Sequence, residues 1–195
     1  AYLTPNLGRP NLHIVTGALT RRVLFDGRKT VGVLADIGGQ EITLSARREV
    51  ILSAGAFGSP QILQLSGIGA GDFLRGKGID PVHELPGVGE NLQDHIDYVY
   101  SYRTGVDTDT FGLSVRGGLR VLHGIQQWHT RRTGLLTSPY AESGAFFFSS
   151  FEAAIPDLQL VFVQALVDDH GRKLHYGHGF SCHVTLLRPK SRGSV

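Results

Sequence analysis

The sequence contains no methionine and a single cysteine, Cys182. A lone thiol excludes an internal disulfide and a cysteine-rich zinc site, and it fits a reducing, cytoplasmic setting. No apolar run approaches the ~18 residues that a membrane-spanning helix needs. The start, Ala1-Tyr2-Leu3-Thr4-Pro5, has neither the basic n-region nor the apolar h-region of a secretory leader. Charge of one sign is scarce as well: 19 Lys and Arg against 17 Asp and Glu leave a formal net charge of +2. The basic residues are scattered, whereas a nucleic-acid binder gathers them into a stripe with interleaved aromatics. With no initiating methionine, and with residues 188–193 reading as a turn into a further strand, the expectation is a processed chain or an internal fragment.

Glycine, by contrast, is abundant. There are 26 in 195 residues, placed beside apolar runs and not in a tract, which signals tight turns and close backbone approaches. A hydrophobic content of 41% with 18% charged residues is that of a globular protein.

Residues 11–54 read as a run of short strands. Asn11-Leu12-His13-Ile14-Val15-Thr16 is β-branched and apolar. Arg22-Val23-Leu24-Phe25 and Thr30-Val31-Gly32-Val33-Leu34-Ala35, separated by the turn former Asp26-Gly27, predict a hairpin. Ile37-Gly38-Gly39-Gln40 predicts a second turn before Glu41-Ile42-Thr43-Leu44, so the three strands form a meander. Glu49-Val50-Ile51-Leu52-Ser53 is a continuous apolar run of the kind buried on both faces of a parallel sheet. A strand-turn-helix follows, with Ala54-Gly55-Ala56-Phe57-Gly58 as the turn, Ser59 as N-cap and Pro60 at N1. Ile62, Leu63 and Leu65 supply its buried side, and Gly67 closes it at C′. Residues 70–95 read as loop with one short helix over residues 72–77.

From residue 98 the character changes. Val99-Tyr100-Ser101-Tyr102 alternates as a strand, and residues 104–110 are polar loop. Val115, Leu119, Leu122 and Ile125 recur at helical spacing, with Arg116, Arg120, His123 and Gln127 around the rest of the helix. Further strands are predicted over residues 144–149, 158–166 and 180–187. The expected domains are therefore 1–97 and 98–195.

A glycine-rich turn that opens a helix lets a ligand reach the backbone, and the free N–H groups of the helix end suit an anion such as a pyrophosphate. Such a turn is also a common plain connection in α/β folds. Here, however, the stretch reads Gly55-Ala56-Phe57-Gly58-Ser59-Pro60-Gln61-Ile62-Leu63-Gln64-Leu65-Ser66-Gly67-Ile68-Gly69. It matches at every position the pattern small-small-x-x-Ser/Thr-Pro/Ser-x-aliphatic-aliphatic-x-x-Ser-Gly-aliphatic-Gly. In this the chain resembles the glucose-methanol-choline (GMC) oxidoreductases. Tyr2-Leu3-Thr4-Pro5 with Arg9-Pro10-Asn11-Leu12, and Leu85-Pro86-Gly87-Val88-Gly89-Glu90-Asn91-Leu92-Gln93-Asp94-His95, extend the resemblance. Pro156-Asp157-Leu158-Gln159 and Pro189-Lys190-Ser191-Arg192-Gly193 look like landmarks of the choline-dehydrogenase type.

The resemblance implies an α/β fold: part of a Rossmann-like FAD-binding domain with the β-meander, followed by the α+β first part of an antiparallel-sheet substrate domain. It implies FAD as cofactor and a small-molecule alcohol as substrate, choline or another primary alcohol. Hydride would pass to the flavin, with the electron acceptor left open between oxygen and another species. Thr20 falls where the family's backbone meets the FAD adenine, just after the first strand, and Ser53, Ala54 and Gly55 fall where the last parallel strand ends beside the dinucleotide. No catalytic residue carries over, since the family's catalytic histidine and its partner belong beyond Val195. The GxGxxG fingerprint is absent too. Gly87-Val88-Gly89-Glu90-Asn91-Leu92 has Leu92 in place of its third glycine, and no strand leads into it. These 195 residues alone are therefore expected not to hold FAD stably.

Other features have plainer readings. His170, His175, His178 and His183, with Cys182, Asp168 and Asp169, can be drawn as a metal site. No pair has the H-E-x-x-H spacing, so hydrogen-bonding histidines and no metal are expected. His95 beside Asp94 reads as a structural hydrogen bond in preference to a general base. The basic helix over residues 116–132 reads as a solvated face, with peripheral membrane contact as the lesser reading and Trp128 suited to either. Phe146-Phe147-Phe148 reads as core strand. A separate class, a non-catalytic or degenerate nucleotide-binding module, stands beside the enzyme. The encoding DNA separates the two, through a GxGxxG upstream and a histidine-bearing segment downstream.

Overall fold

The computed structural model describes residues 2–105, 110–169, 172–173 and 175–195. They form two compact units, one running to Gln93 and including Arg192–Val195, the other spanning Asp94–Ser191.

In the first unit β1 (Ala18–Asp26), β2 (Lys29–Ile37) and β3 (Gln40–Ser45) make an antiparallel meander in that order, as the pattern predicts. Its turns are two residues long. Gly38 and Gly39 both have positive φ, 62° and 82°, which the type I′ turn between twisted strands demands. Between Thr20 and Arg22 the register of β1 against β2 slips, leaving Arg21 as the extra residue of a bulge. The Arg21 guanidinium lies 2.7 Å from Asp36 and is the main reason the Asp36 carboxyl is held below the usual carboxylate range.

Two expected strands are absent. Residues 11–16 and 49–53 join no ladder among the described residues, and Ile51 is 77% exposed. An apolar, β-branched run becomes a buried strand only where a neighbour takes its N–H and C=O groups. The next element, α1 (Gly55–Leu65), starts earlier than expected, with Ala54 and not Ser59 as its N-cap. Ser59 instead reaches back, its Oγ accepting the Ala54 N–H at 3.0 Å. Pro60 lies inside the helix, where its missing N–H leaves the Ala56 carbonyl without the usual donor. Gly67 closes α1 as foreseen, at φ 81°. Beyond it β4 (Ile68–Gly69) pairs in parallel with β5 (His83–Glu84), a pairing the sequence did not announce, with α2 (Gly71–Gly76) between them.

In the second unit β6 (Ile96–Thr104), β7 (Ala141–Phe147), β8 (Leu158–Val163) and β9 (His178–Leu186) form one antiparallel sheet of order β6-β9-β8-β7. The helix α3 (Val115–Arg131) begins at Ser114, whose Oγ accepts the Gly117 N–H at 2.9 Å. It ends at Arg132 in the left-handed region, with the guanidinium 4.2 Å from the centre of the Trp128 ring. These spans agree with the predicted ones, but the face of α3 does not. Val115, Leu119, Leu122 and Ile125 are exposed, while the buried positions are Gly117 and Gly124. Gly124 packs on Leu135 and Leu136, and a Cβ at Gly117 would run into the Gly112 carbonyl, so the helix is approached through its backbone. The phenylalanine triplet is likewise not core: Phe146 and Phe148 are exposed and Phe147 is half-buried. Residues 106–109 of the expected polar loop lie outside the described residues. No described helix is long and apolar enough to cross a membrane.

The buried apolar side chains of the described helices and strands are Val23, Ala35 and Leu74, all in the first unit. The accessible surface is 14,415 Å², against about 11,000 Å² for two independent globular halves of this mass. Open apolar faces carry part of the difference, such as the row Tyr98, Tyr100 and Tyr102 along one side of β6.

Candidate cofactor site

The signature residues of α1 act as anchors. The Val23 N–H of β1 donates to Ser66 Oγ at 2.8 Å, and the Ser66 hydroxyl donates in turn to the Ile62 carbonyl, tying the end of α1 to the meander. At Gly67 a Cβ would stand 2.7 Å from the Asp80 carbonyl oxygen and 2.9 Å from Val82 Cγ2, so only glycine fits. The Gly67 carbonyl accepts the Val82 N–H at 2.8 Å. Both Glu84 carboxylate oxygens accept the Gly71 N–H at 3.0 Å. The fixed serine and glycines therefore hold the C-terminal end of the helix.

Its N-terminal end is left open. Gly55 has φ 80° and nothing within 4 Å of where a Cβ would lie, so the backbone conformation, not crowding, calls for glycine. The N–H groups of Gly55, Ala56 and Phe57 have no partner within a helix. No side chain caps them, and the first turn carries no acidic residue. Ser53, Ala54 and Gly55 are all exposed. Free amides together with the positive end of the helix dipole favour an anion at this spot.

Beside this end lies a hollow of about 330 Å³, with Ala56 and Pro60 on one side and Gly89, Asn91, Leu92 and Gln93 on the other. The loop across the hollow is held in an unusual conformation, with Gly89 at φ 86° and Asn91 at φ 62°. It is the same Gly-x-Gly string that lacks the third glycine of a dinucleotide fingerprint and that belongs to the stretch Leu85–His95 extending the family resemblance. Thr20, the remaining predicted residue, lies inside β1 opposite Ala35, immediately before the bulge, and is half-buried. It is thus within the first strand of the chain and not beyond it, because residues 11–16 form none. Ser53–Gly55 likewise lead into α1 from an unpaired segment in place of the expected parallel strand.

Three of the histidines that could be drawn as a metal site, His175, His178 and His183, are spent on separate partners. His175 Nε2 meets Asp168 Oδ2 at 2.9 Å and is the main reason that carboxyl sits below its usual range. His183 Nδ1 meets Asp97 Oδ2 at 2.6 Å, and the Thr185 hydroxyl donates to Asp97 Oδ1 at 2.9 Å. His178 is buried between Thr110 Oγ1, at 3.1 Å, and Ser114 Oγ, at 2.7 Å. Among the described residues no three His, Cys, Asp or Glu side chains are grouped as a metal site would group them, and His170 lies outside those residues. At His95 it is the backbone N–H, not the ring, that donates to Asp94 Oδ1.

A helix end open to an anion, a meander in the same unit and a following antiparallel sheet fit the class of flavoenzymes built from a nucleotide domain and a sheet domain. Within that class the chain belongs to the GMC oxidoreductase family, whose model matches residues 1–97. It is 43% identical over its whole length to an alcohol dehydrogenase (acceptor) of Pseudomonas putida, of which it covers 36%. It is 42% identical to an oxygen-dependent choline dehydrogenase of Pectobacterium carotovorum, of which it covers 34%. Among solved structures, formate oxidase superposes with a TM-score of 0.81 at 27% identity, over 94% of this chain and 37% of that one. Pyridoxine 4-oxidase superposes with a TM-score of 0.68 at 27% identity, over 96% of this chain and 33% of that one. The chain thus spans about a third of the length of the curated relatives it matches.

Proposed function

We propose that the protein is an FAD-dependent oxidoreductase acting on the CH–OH group of an alcohol donor, choline or another primary alcohol. Residues 1–97 belong to the FAD-binding domain in this reading, and residues 98–195 form the first part of the substrate domain. The observation that carries it is the uncapped, acid-free N-terminus of α1, anchored at its far end by Ser66 and Gly67. That geometry suits the diphosphate of a dinucleotide: exposed N–H donors, no side chain at Gly55 to keep a ligand away, and no carboxylate to repel it. FAD, when bound, supplies the hydride acceptor.

The residues of this chain hold and orient the cofactor. Ser53, Ala54 and Gly55 present backbone to the dinucleotide, and the Ser59 hydroxyl fixes the approach by taking the Ala54 N–H. Thr20 offers its backbone to the adenine end, a placement supported by the bulge at Arg21, since bulges re-aim strand backbone. The alcohol substrate is supported by the names of the relatives, which include an acceptor-linked and an oxygen-dependent enzyme.

The test is anaerobic. The protein as its gene encodes it is reconstituted with FAD and mixed with choline and with a series of primary aliphatic and aromatic alcohols. At least one alcohol should bleach the oxidised-flavin absorbance in a single turnover. Flavin that binds but stays oxidised with every alcohol would sink the activity, and a protein that takes up no flavin would sink the cofactor assignment.

A further inference from the structure

Ala56, Pro60 and Gln64 are spaced four residues apart and share one stripe of α1. The first two line the hollow beside the helix N-terminus and offer no side-chain hydrogen bond to the loop opposite. Gln64 offers one. Its Nε2 donates to the Val88 carbonyl at 3.3 Å and to the Val195 carbonyl at 3.1 Å.

Those two carbonyls belong to the two segments of a miniature ladder. The Leu92 N–H donates to the Gly193 carbonyl and the Gly193 N–H to the Leu92 carbonyl, both at 2.9 Å, and the Val195 N–H donates to the Gly89 carbonyl at 2.8 Å. A single amide thus ties both segments to α1. Gly89 is shaped around that tie. It has φ 86°, and a Cβ there would stand 2.6 Å from Gln64 Nε2 and 2.7 Å from the Val195 carbonyl oxygen. The signature leaves position 64 open, so nothing in the family pattern assigns this side chain a part.

We propose that Gln64 is a positioning residue for the cofactor: it clamps the Val88-to-Gln93 loop onto α1, so that the hollow beside the helix N-terminus is formed before the ligand arrives. The proposal rests on the reading of that hollow as part of the FAD wall. Without the clamp, the loop must be ordered when FAD binds, and that ordering is subtracted from the binding free energy. Gly89 has the complementary task of leaving room for the amide.

The protein as its gene encodes it is compared with Gln64→Leu, which keeps the bulk and loses both donors, and with Gly38→Ala. The latter strains the β2–β3 turn, where φ is 62°, without touching α1 or the loop. Three measurements are made on each: the FAD dissociation constant by flavin fluorescence, thermal unfolding of the flavin-free form, and hydrogen exchange at the Glu90 and Leu92 amides. Two neutral hydrogen bonds, partly replaced by water, lead to an expected loss of FAD affinity of about tenfold in Gln64→Leu. Exchange at Glu90 and Leu92 should quicken in the same variant. Gly38→Ala should unfold at lower temperature yet keep its FAD affinity within about twofold, as a substitution remote from the hollow should.

An unchanged dissociation constant in Gln64→Leu overturns the clamp while leaving the cofactor assignment standing. Equal losses of affinity in the two variants overturn it as well, since Gln64 would then act through general stability. If the unaltered protein takes up no FAD, the cofactor assignment fails on its own. The clamp is then decided by exchange at Glu90 and Leu92, and unchanged protection in Gln64→Leu overturns it.

Discussion

Two glycines with left-handed backbones allow the crowding at the end of α1 to be measured. Gly67 has φ 81°, and a Cβ there would lie 2.7 Å from the Asp80 carbonyl oxygen, 2.9 Å from Val82 Cγ2 and 3.0 Å from the Val82 nitrogen. Gly38 has φ 62° with nothing within 4 Å. Gly38→Ala should therefore cost only the left-handed penalty of an L-residue, about 1–2 kcal/mol. Gly67→Ala bears that penalty plus the displacement of two backbone groups and a side chain. Overpacking of this kind adds about 1–3 kcal/mol, for a total of roughly 2–5 kcal/mol. Urea unfolding of the two variants beside the unaltered protein gives the difference directly, with similar m-values required for the comparison. Exchange of the Val82 amide, which donates to the Gly67 carbonyl, should quicken in Gly67→Ala alone. Equal destabilisation in the two variants would refute the argument that contact, and not conformation alone, reserves position 67 for glycine.

Other outcomes follow from single side chains. Leu74 is fully buried, and Leu74→Ala should lower unfolding free energy by about 2–5 kcal/mol, read from the same urea curves. The Asp157 carboxyl is held below the usual range chiefly by the Ser149 hydroxyl, at 2.6 Å, and by the Ser149 N–H, at 2.7 Å. A depressed folded-state value means the pair contributes stability above the ordinary carboxylate value of about 4 and loses it as pH falls through the lowered one. Ser149→Ala should move the Asp157 midpoint upward in a carbon-detected NMR titration, and an unmoved midpoint would contradict the assignment. In the same experiment Arg21→Ala should raise the Asp36 midpoint, because the guanidinium is its leading cause.

The meander was legible because each of its turns carries glycine and each flanking run has strand composition; Gly38-Gly39 can take the two positive φ values that a two-residue hairpin turn needs. The start of α1 was not. Ser59-Pro60 is a standard helix opening, but the serine caps backwards onto Ala54 and the proline is carried inside the helix. A local signal was present there, and its direction along the chain was invisible. Residues 49–53 failed for a different reason: apolar content states that a segment wants burial, not that a partner strand stands beside it. For the candidate site, Ser53, Ala54 and Gly55 are candidates through the family resemblance, and only Gly55 lies within the signature itself. The loop of Gly89 to Gln93 lies in the stretch Leu85–His95 that extends the family resemblance, but its string lacks the third glycine of the pyrophosphate fingerprint, and nothing in it states that it faces the start of α1. Gln64 left no trace in the sequence, since its part depends on contacts with residues as distant as Val195.

The inward glycines of α3 bear on how this protein accumulates change. In an ordinary amphipathic helix the large apolar positions are the conserved ones and the small outward positions drift. Here the chain's own packing reverses the order. At Gly117 an added carbon would run into the Gly112 carbonyl, and at Gly124, two turns on, it would come into ordinary contact with the leucines at 135 and 136. Val115, Leu119 and Leu122 answer to nothing within their own unit that holds them buried. A substitution census along this helix would therefore separate two histories. Constraint at the glycines reports folding of the unit itself, whereas any constraint at the outward apolar positions reports selection by whatever surface they meet.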